Sequence, residues 1–511
     1  MNYRPLFNGD AGVALVPAPL QQGMLVSASN SYQLGFAIGG IILAAIVYWF
    51  VRRITESPYG RSLRAMRDND KVADSLGKNL VSLRTGALVI GGAIAGLSGA
   101  MLVSFIGVWS PAAWSYAETI VLFTAVIIGG AGNHRGAVLG AILVPVGFEE
   151  ITRFITNNNP SLPPNLLPSL QWVAIGLLIA IFLWVRPQGV LPERRRVIPA
   201  AETAMQRMAG RFTMLPLARR WKPGIRPATD FSAPSSGAGS PAGGRRTVGH
   251  VSGGSLDAPG AAMLEAVGVG KDFGGVHAVS DVRISVRRGS LTGLIGPNGA
   301  GKSTLLSLLA GTQRVSAGTI AYQGQDITGM PAYRRARIGL VRTFQLASEF
   351  KRLTVMENLL AAAPGNRGDS FLGALAGRWY WRGDEAAAIT RADALISSFG
   401  LTQHANDYAG DLSGGQRRLV EIMRALMTEP DLLLLDEPMA GVHPELARKI
   451  GEALRQLCQG GMTILMVEHE LAIMDEFCDP VIVMAEGSVL AEGTMAELRD
   501  RAEVVEAYLV G

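Results

Sequence analysis

At 511 residues the chain is long enough for two or three domains, and its hydrophobic content of 48% exceeds what a soluble enzyme ordinarily carries. We therefore expect part of it to lie in a membrane. The net charge of +5 is small for this length, which argues against nucleic acid as a partner. The only two cysteines, Cys458 and Cys478, have no metal-ligand neighbours in the sequence, so we expect reduced, packed thiols.

The N-terminal third contains most of the long apolar sequence. Residues 1–32 have neither a basic start nor an apolar core, so no signal peptide is expected. Apolar runs follow at about 33–52, 85–107, 117–131, 136–153 and 170–186. The first, second and fifth are about as long as a bilayer is thick. The third and fourth are short and flank GGAGNHRG, Gly129 to Gly136, which predicts two half-helices that meet at a break.

Clusters of basic residues predict how these roughly five spans are oriented. They follow the first and the last apolar run, at Arg52, Arg53, Arg61, Arg64, Arg67 and Lys71 and at Arg186, Arg194, Arg195 and Arg196. Positive residues favour the cytoplasmic side, so both of these clusters are expected there. An odd number of spans then puts residue 1 outside the cell. We expect several upstream helices of a longer membrane protein to be missing or to be supplied by another chain.

A charged, amphipathic segment, Ser57 to Asn79, follows the first run on the predicted cytoplasmic side, and we call it the charged segment. Its residues leave two interpretations open: a solvated connecting loop, or a coupling helix that contacts another protein. Ala65, Ala73 and Gly77 are small enough to allow close approach to another protein surface.

Residues 192–262 are rich in Arg, Pro, Ser, Gly and Ala and have too few large apolar side chains for a core, which predicts a flexible linker. Its first part alternates basic residues such as Arg207, Arg211 and Lys222 with Leu215 and Trp221. That pattern suits an anionic lipid surface and suits a solvated basic linker about equally well.

Residues 263–511 alternate apolar strand runs with helical patterns, which predicts an α/β sheet domain. In GPNGAGKST, Gly296 to Thr304, a glycine-rich turn joins an apolar run to the start of a helix. This spacing matches the phosphate-binding loop, whose backbone N–H groups surround a nucleotide's phosphates. Lys302 is predicted to reach the β- and γ-phosphates, and the Ser303 hydroxyl to bind Mg²⁺. The predicted nucleotide-binding residues of this loop are Gly296, Asn298, Gly299, Gly301, Lys302, Ser303 and Thr304.

A second motif, LSGGQ, lies downstream at Leu412, Ser413, Gly414, Gly415 and Gln416. Together with the phosphate-binding loop, it makes this half of the chain resemble the ABC transporter ATPase family. The resemblance implies that ATP is the nucleotide and that two ATPase domains dock head to tail. Ser413, Gly414 and Gly415 would then contact the γ-phosphate bound by the other domain.

Two carboxylates follow the apolar run Leu432 to Leu435. The run predicts a fully buried strand, at whose end Asp436 would bind Mg²⁺ through water and Glu437 would orient the attacking water. Downstream of them, His443 replaces the aspartate that the family usually has in its dimer-contact loop. An imidazole does not reproduce a carboxylate, so we expect the coupling between two ATP sites to differ here.

Three further residues acquire roles from the resemblance. Gln345 matches the loop that senses Mg²⁺ and water, and His469, after the apolar run Ile464 to Val467, resembles the switch histidine that contacts the γ-phosphate. Phe273 lies where the family stacks an aromatic ring on adenine, although a core position fits this residue nearly as well.

The membrane half resembles the second part of a branched-chain amino acid permease, through the charged segment and RPQGVL, Arg186 to Leu191. The runs FQLASEFKRLTVMENLLAA and AEVVEAYLVG resemble the ATP-binding subunits of the same transporters. The resemblance implies a partial permease at residues 1–191, the linker at 192–262 and an ABC ATP-binding domain at 263–511. It implies an importer that couples ATP hydrolysis to uptake of branched-chain, hydrophobic amino acids across the cytoplasmic membrane.

The partners implied are a second ATPase domain, identical or homologous, a partner permease, and an extracytoplasmic amino-acid-binding protein, with membrane lipid around the spans. Alternatives stay open. Permeases for urea and short amides look similar, and no residue decides between these cargoes. An exporter half-transporter fits the order of the domains, but the compact charged segment and the span count speak against it. A third alternative is a truncated, inactive remnant that only binds nucleotide and regulates a partner. The intact Lys302, Ser413, Glu437 and His469 argue against inactive chemistry but not against a broken transport path.

Overall fold

The computed structural model describes residues 13–14, 29–109, 116–158, 166–193, 197–198, 262–343 and 349–510. Most of the predicted linker, and Gln345, lie outside these residues, so what the sequence predicts for them stays a prediction. The described residues form two compact units. One contains those within Met1–Gly60, Leu83–Arg196 and Ser370–Gly377, and the other those within Arg61–Ser82, Val197–Asp369 and Arg378–Gly511.

The N-terminal part of the chain is helical among its described residues, apart from two short paired strands, β1 (Val13–Ala14) and β2 (Val108–Trp109). The helices are α1 (Ser29–Thr55), α2 (Pro58–Asp68), α3 (Asp70–Ser75), α4 (Leu80–Ile106), α5 (Tyr116–Gly129), α6 (His134–Ala141), α7 (Gly147–Asn158) and α8 (Leu166–Val185). A π-helical turn at Ile142–Val146, which contains Pro145, joins α6 to α7.

Two of these helices are long and apolar enough to cross a membrane, at Gln33–Thr55 in α1 and at Leu80–Ile106, which is α4. Both expose large apolar side chains, such as Ile41 and Leu88, as expected for helices in contact with lipid. The described apolar stretches of the other predicted spans are shorter, at Thr119–Gly129, His134–Val146 and Trp172–Val185. The length predicted for the first two spans is therefore confirmed, and the total of five remains a prediction.

The predicted break between two short helices is present. Helix α5 ends at Gly129 and α6 begins at His134, where the Asn133 side chain accepts hydrogen bonds from the N–H groups of Arg135 and Gly136. A side chain at Gly140 would collide with the Ala125 carbonyl, so the two helices pack backbone against backbone.

The C-terminal part has the α/β fold that the sequence predicts. Its strands are β3 (Ala262–Phe273), β4 (Val276–Arg287), β5 (Leu291–Ile295), β6 (Ala317–Tyr322), β7 (Gln325–Asp326), β8 (Leu340–Arg342), β9 (Leu432–Asp436), β10 (Thr463–Val467), β11 (Val481–Ala485) and β12 (Ser488–Gly493). Its helices are α9 (Lys302–Ala310), α10 (Ala332–Arg337), α11 (Val355–Ala362), α12 (Phe371–Ala376), α13 (Arg378–Ser398), α14 (Gly414–Met427), α15 (Pro444–Gln459), α16 (Leu471–Phe477), α17 (Met495–Arg499) and α18 (Ala502–Val510).

Two sheets organise this part. One has the strand order β12-β11-β5-β10-β9-β8, parallel except for β12, and the other is the antiparallel order β4-β3-β6-β7. Strand β9 is buried on both faces: Leu433 and Leu435 face one core with α11 and α14, and Leu432 and Leu434 face a second core with α9. This double burial explains its unbroken run of leucines.

Arg335 on α10 is a buried cation that links α9 to the loop after β7. Its guanidinium donates to the carbonyl oxygens of Leu308 and Leu309, at the end of α9, over 2.9 and 2.7 Å. It also donates to the carbonyls of Ile327, Thr328 and Met330. Burial lowers the pKa of Arg335 to about 10, against the effect of Asp326. The charge therefore lies at the C-terminal end of α9, where it supplements the bond that the Gly311 N–H donates to the Leu308 carbonyl and supplies a donor to the Leu309 carbonyl.

Replacing Arg335 by Met should destabilise the ATPase part by about 3–5 kcal/mol, because buried carbonyls lose a charged donor. Arg334→Met, at the exposed neighbouring position, is the matched control and should change stability little. Thermal unfolding of the full chain in detergent measures both. Equal melting temperatures for the two variants would contradict this role of Arg335.

Candidate nucleotide site

The candidate site lies where the parallel strands of the larger sheet end. Strand β10 pairs with β9 so that Val467 lies opposite Asp436, and β8 pairs with β9 so that Arg342 lies opposite Leu434. Strand β5, on the other side of β10, leads into the glycine-rich loop. Ligands of open α/β sheets bind outside the carboxyl ends of the strands, and the predicted residues Lys302, Asp436, Glu437 and His469 all follow such ends.

The glycine-rich loop has the backbone that phosphate binding requires. Gly301 caps α9 with φ +92°, and a side chain there would collide with the Ala278 carbonyl. The Lys302 Nζ donates to the carbonyls of Gly296 and Pro297 over 2.7 and 2.8 Å, so the ammonium lies inside the loop. Burial lowers the pKa of Lys302, while Glu437 and Asp436 oppose that shift. The loop thus presents a helix N-terminus together with a buried cation.

Asp436 and Ser303 lie side by side, as the sequence predicts for a Mg²⁺ site. The Ser303 hydroxyl donates to Asp436 Oδ1 over 3.4 Å. The other oxygen, Oδ2, accepts from Arg342 Nη2 at 2.8 Å, and both members of this ion pair are buried. A hydroxyl and a carboxylate are the hard oxygen ligands that Mg²⁺ prefers, so these residues fit the ion. The sequence did not assign Arg342 this role as a partner of Asp436.

Glu437 and His469 meet at the adjoining strand ends. The Glu437 Oε1 lies 2.8 Å from His469 Nε2, and the Glu437 N–H donates to the Val467 carbonyl over 2.9 Å. Glu437 has φ +48°, a conformation that non-glycine residues adopt at a cost of about 1–3 kcal/mol and that concentrates at functional sites. The structure therefore brings together the two residues that the sequence predicts for water activation and for the switch.

Two buried charged residues that the sequence analysis missed support Glu437 and the loop after it. The Arg418 guanidinium donates to the Glu437 carbonyl and pairs with Glu421 over 2.6 Å. The Glu468 Oε1 accepts from the Met439 N–H over 2.7 Å. Burial, with repulsion from Glu437, raises the pKa of Glu468 to about 7, although hydrogen bonds and Arg418 act against it. The only sequence signals for these two residues were the position of Arg418 just after LSGGQ and that of Glu468 just before His469.

The LSGGQ residues form the start of α14. The Ser413 hydroxyl accepts from the Gln416 N–H over 3.3 Å, and Gln416 Oε1 accepts from the Ser413 N–H over 3.0 Å, which is a capping box. Leu412 is buried, whereas Ser413 and Gly414 are exposed. The motif therefore presents a helix N-terminus at the protein surface.

Phe273 and His443 both lie at the surface. Phe273, at the end of β3, is 45% exposed, and Lys271 Nζ lies 5.0 Å from the centre of its ring. The alternative of a core position for Phe273 is therefore wrong. His443 is the exposed residue that precedes α15, and its side chain makes no capping hydrogen bond.

Cys458 and Cys478 are buried free thiols, and burial raises the pKa of each to about 12. Both are thus inert packing residues, as predicted.

From Arg61 onward, the charged segment is part of the same compact unit as the ATPase residues. Arg61 forms a two-bond ion pair with Glu385 on α13, with distances of 2.7 and 3.0 Å. Asn366 Nδ2 donates to the same carboxylate over 2.8 Å. Burial alone would raise the pKa of Glu385, but the Arg61 charge and these hydrogen bonds bring it below its ordinary value.

Two more ion pairs bind the charged segment to the ATPase residues. Arg64 Nη2 lies 2.7 Å from Glu357 on α11, and Lys78 Nζ lies 2.6 Å from Asp369. Arg337 Nε on α10 donates to the Gly77 carbonyl over 2.9 Å.

The small residues of the charged segment are buried here as well. Ala65 and Ala73 belong to the core that contains α11 and α14, with exposed fractions of 1% and 0%. Such burial does not fit a solvated loop.

Comparison with known sequence families gives two matches. The profile of the ABC transporter family matches residues 279–440. The profile described as branched-chain amino acid transport system, permease component, matches residues 6–183. The two matches together cover both parts of the chain.

Among individual proteins, the chain is similar to a probable branched-chain amino acid transport ATP-binding protein, LivG, of Archaeoglobus fulgidus, with 38% identity over 48% of this chain and 95% of the relative. It is 37% identical to the high-affinity branched-chain amino acid transport ATP-binding protein BraF of Pseudomonas aeruginosa, over 48% of this chain and 97% of the relative. A solved nucleotide-free ATP-binding cassette from an ABC transporter is 37% identical and covers 48% of this chain and 99% of its own, with a TM-score of 0.43.

The raised pKa of Glu468 predicts a pH-dependent contribution to stability. Between the ordinary pKa of 4.5 and about 7, the unfolded carboxyl loses its proton while the folded one keeps it, so stability falls as the pH rises. The glutamine of the Glu468→Gln variant cannot ionise, so this variant should not lose stability in that way. The expected loss in the native chain is about 3 kcal/mol of unfolding free energy, at 1.36 kcal/mol per pKa unit.

Thermal unfolding of both proteins at pH 5 and pH 8 measures the effect. Relative to the native chain, the glutamine variant should be more stable at pH 8 than at pH 5. A stability difference between the variant and the native chain that is the same at both pH values would contradict the raised pKa of Glu468.

Proposed function

This chain belongs to the ABC transporter family, and we propose that it couples its ATP hydrolysis to the uptake of branched-chain, hydrophobic amino acids across the cytoplasmic membrane. The observation that carries the proposal is the presence, on one chain, of a permease-component match at residues 6–183 and an ABC ATPase similar to branched-chain amino acid transport ATP-binding proteins.

The proposed topology follows from charge. The basic clusters after α1 and after α8 favour the cytoplasmic side, which puts the charged segment and the ATPase in the cytoplasm. The proposed domain limits are 1–191 for the partial permease, 192–262 for the linker and 263–511 for the ATPase. The membrane part then needs a partner permease and an extracytoplasmic binding protein to complete a transport path.

In the proposed reaction, the glycine-rich loop and Lys302 bind the phosphates of ATP, and Phe273 stacks on adenine. The Glu437 carboxylate orients and deprotonates the attacking water, and its contact with His469 Nε2 at 2.8 Å fixes its direction. Arg418 fixes the backbone of Glu437 through its carbonyl oxygen. Gln345 is proposed to sense Mg²⁺ and water.

Ser303 and Asp436, with Gln345, are the proposed ligands of Mg²⁺, which would neutralise phosphate charge when bound. The hydrogen bond between Ser303 and Asp436, at 3.4 Å, supports this assignment. Arg342 binds the second oxygen of Asp436, so one face of the carboxylate is left for a cation.

The exposed helix N-terminus at Ser413 and Gly414 supports a contact with the ATP bound by a second ATPase domain. That domain is either another copy of this chain or a homologous subunit. His443 would lie in the contact between the domains, where its imidazole replaces a carboxylate.

The charged segment is the proposed route from ATP to the membrane helices. Its ion pairs with Glu385, Glu357 and Asp369, of which the first two are largely buried, connect it to α13, α11 and the turn at Arg367–Asp369. A movement of these ATPase residues on closure of the two domains would pull on a segment that follows α1 directly in the chain.

Glu437→Gln should lower ATP hydrolysis by about 10²–10⁴-fold, because an amide cannot take the proton of the attacking water. ATP-dependent uptake of labelled leucine in cells should fall with it, at unchanged membrane levels of the protein. Glu445→Gln, an exposed change on α15, is the matched control and should leave both activities unaltered.

Uptake measurements in the same cells also test which substrate is transported. Loss of leucine uptake in Glu437→Gln alone supports both the cargo and the site. If leucine uptake does not depend on Glu437 while labelled urea uptake does, then the cargo proposed here is wrong and the urea and amide alternative is favoured.

Reversing the charge of Glu385 tests the proposed route from the ATP site to the membrane helices through the charged segment. Glu385→Arg places two buried cations together and should abolish uptake while ATP hydrolysis continues. The double variant Arg61→Glu with Glu385→Arg restores opposite charges and should recover part of the uptake. Glu476→Arg, in the exposed pair with Arg448, is the control. Equal uptake in the single and double variants would contradict a route through this pair.

A further inference from the structure

The first turns of α13 carry an exposed group of aromatic and basic side chains, Arg378, Trp379, Tyr380 and Arg382, which we call the aromatic patch. Trp379 is 79% exposed and Tyr380 is 36% exposed. Large aromatic side chains gain much from burial, so an exposed tryptophan between arginines points to a partner. Trp and Tyr are enriched where proteins meet lipid headgroups, and Arg binds lipid phosphates.

The aromatic rings of the patch contact each other and a neighbouring cation. The Trp379 and Tyr380 rings pack edge to face, with centroids 5.9 Å apart. The Arg367 guanidinium lies 5.1 Å from the Tyr380 ring and pairs with Asp384 over 2.8 Å. Contact through a rigid aromatic pair costs little side-chain entropy.

The residues just before the patch lie beside the end of a membrane helix. In the membrane unit, Arg53 Nη2 in the last turn of α1 donates to the Ala376 carbonyl over 3.3 Å. The same Arg53 guanidinium lies 5.1 Å from the ring of Trp49, which is 57% exposed. A tryptophan and an arginine at the end of a spanning helix mark the headgroup layer. Ala376 is therefore at that level.

The chain itself limits how far the patch can lie from this layer. Trp379 is three residues after Ala376, and three residues span at most about 11 Å. The layer of headgroups on one side of a bilayer is about 5–8 Å thick. Trp379 therefore lies within about 11 Å of Ala376, close enough for its ring to reach the headgroup layer when the side chain is directed toward the bilayer.

We propose that the aromatic patch binds the cytoplasmic leaflet of the bilayer that contains α1, with Trp379 among the headgroups and Arg378 and Arg382 on lipid phosphates. The positive charge of the patch complements anionic lipid. The short chain connection to Ala376, whose carbonyl accepts a hydrogen bond from Arg53 of α1, brings the patch there without a second partner. This inference rests on the membrane topology of the proposed function. Because α13 also carries Glu385, the patch gives the leaflet a direct contact with the helix that binds Arg61.

Site-directed fluorescence quenching tests this contact. The native cysteines, Cys458 and Cys478, are both buried, so an introduced cysteine is the accessible one. Trp379→Cys, labelled with an environment-sensitive fluorophore, is reconstituted as the full chain in vesicles of phosphatidylcholine and phosphatidylglycerol that contain a headgroup nitroxide lipid. Ser397→Cys is the matched control, since it is exposed on the same helix about 27 Å further along.

The label at 379 should be quenched several-fold more than the label at 397, and the quenching should weaken when phosphatidylglycerol is omitted. Equal quenching at both positions would overturn the proposal. So would disulfide crosslinks between copies through position 379 without lipid quenching, since these would identify a second chain as the occupant.

A third label, at Trp49→Cys, separates this inference from the topology on which it rests. Quenching at 49 without quenching at 379 refutes the patch alone. Absence of quenching at both positions refutes the proposed membrane topology as well.

Discussion

A buried charge must be paired, and this constraint fixes how the charged segment lies on the ATPase residues. Arg61 and Glu385 are both largely excluded from water, and removing one partner of such a pair costs about 3–5 kcal/mol. Arg64 with Glu357 adds the same requirement at a second point, and Lys78 with Asp369 forms a third, partly exposed pair. The segment therefore cannot separate from α11 and α13 without exposing several partners at once. In energetic terms, the charged segment from Arg61 onward is part of the unit that contains the ATPase residues.

The same constraint assembles the nucleotide site. The parallel sheet brings Asp436, Glu437 and His469 to one edge, but their orientation depends on buried cations behind them. Arg342 pairs with Asp436, and Arg418 binds the Glu437 carbonyl. Glu468 in turn binds the backbone of the loop that leads to His443. The chemistry at the strand ends is thus connected, through α14, to the LSGGQ surface where a second ATPase domain is proposed to bind.

Local patterns in the sequence predicted the fold and most of the site. The leucine run at 432–435, the glycine-rich loop and the break at Gly129 to Gly136 each depend on neighbours within a few residues, so the pattern carries the information. Arg335, Arg342, Arg418 and Glu468 escaped prediction because their partners lie across the fold, and a charged residue in sequence is most often solvated. Phe273 remained ambiguous for the same reason, since only the folded hairpin exposes it. The number of spans, predicted as about five, stays a prediction, since hydropathy alone does not separate a short apolar helix from a spanning one.

ATP bound at Lys302 and Glu437 is proposed to change the conformation of the charged segment. Hydrogen–deuterium exchange of the full chain carrying Glu437→Gln, with and without ATP, measures this most directly, because that variant should bind ATP without consuming it. Coupling through the buried ion pairs predicts that peptides from 61–82 exchange at a different rate once ATP is bound. Protection of the glycine-rich loop with no change in peptides 61–82 would contradict it.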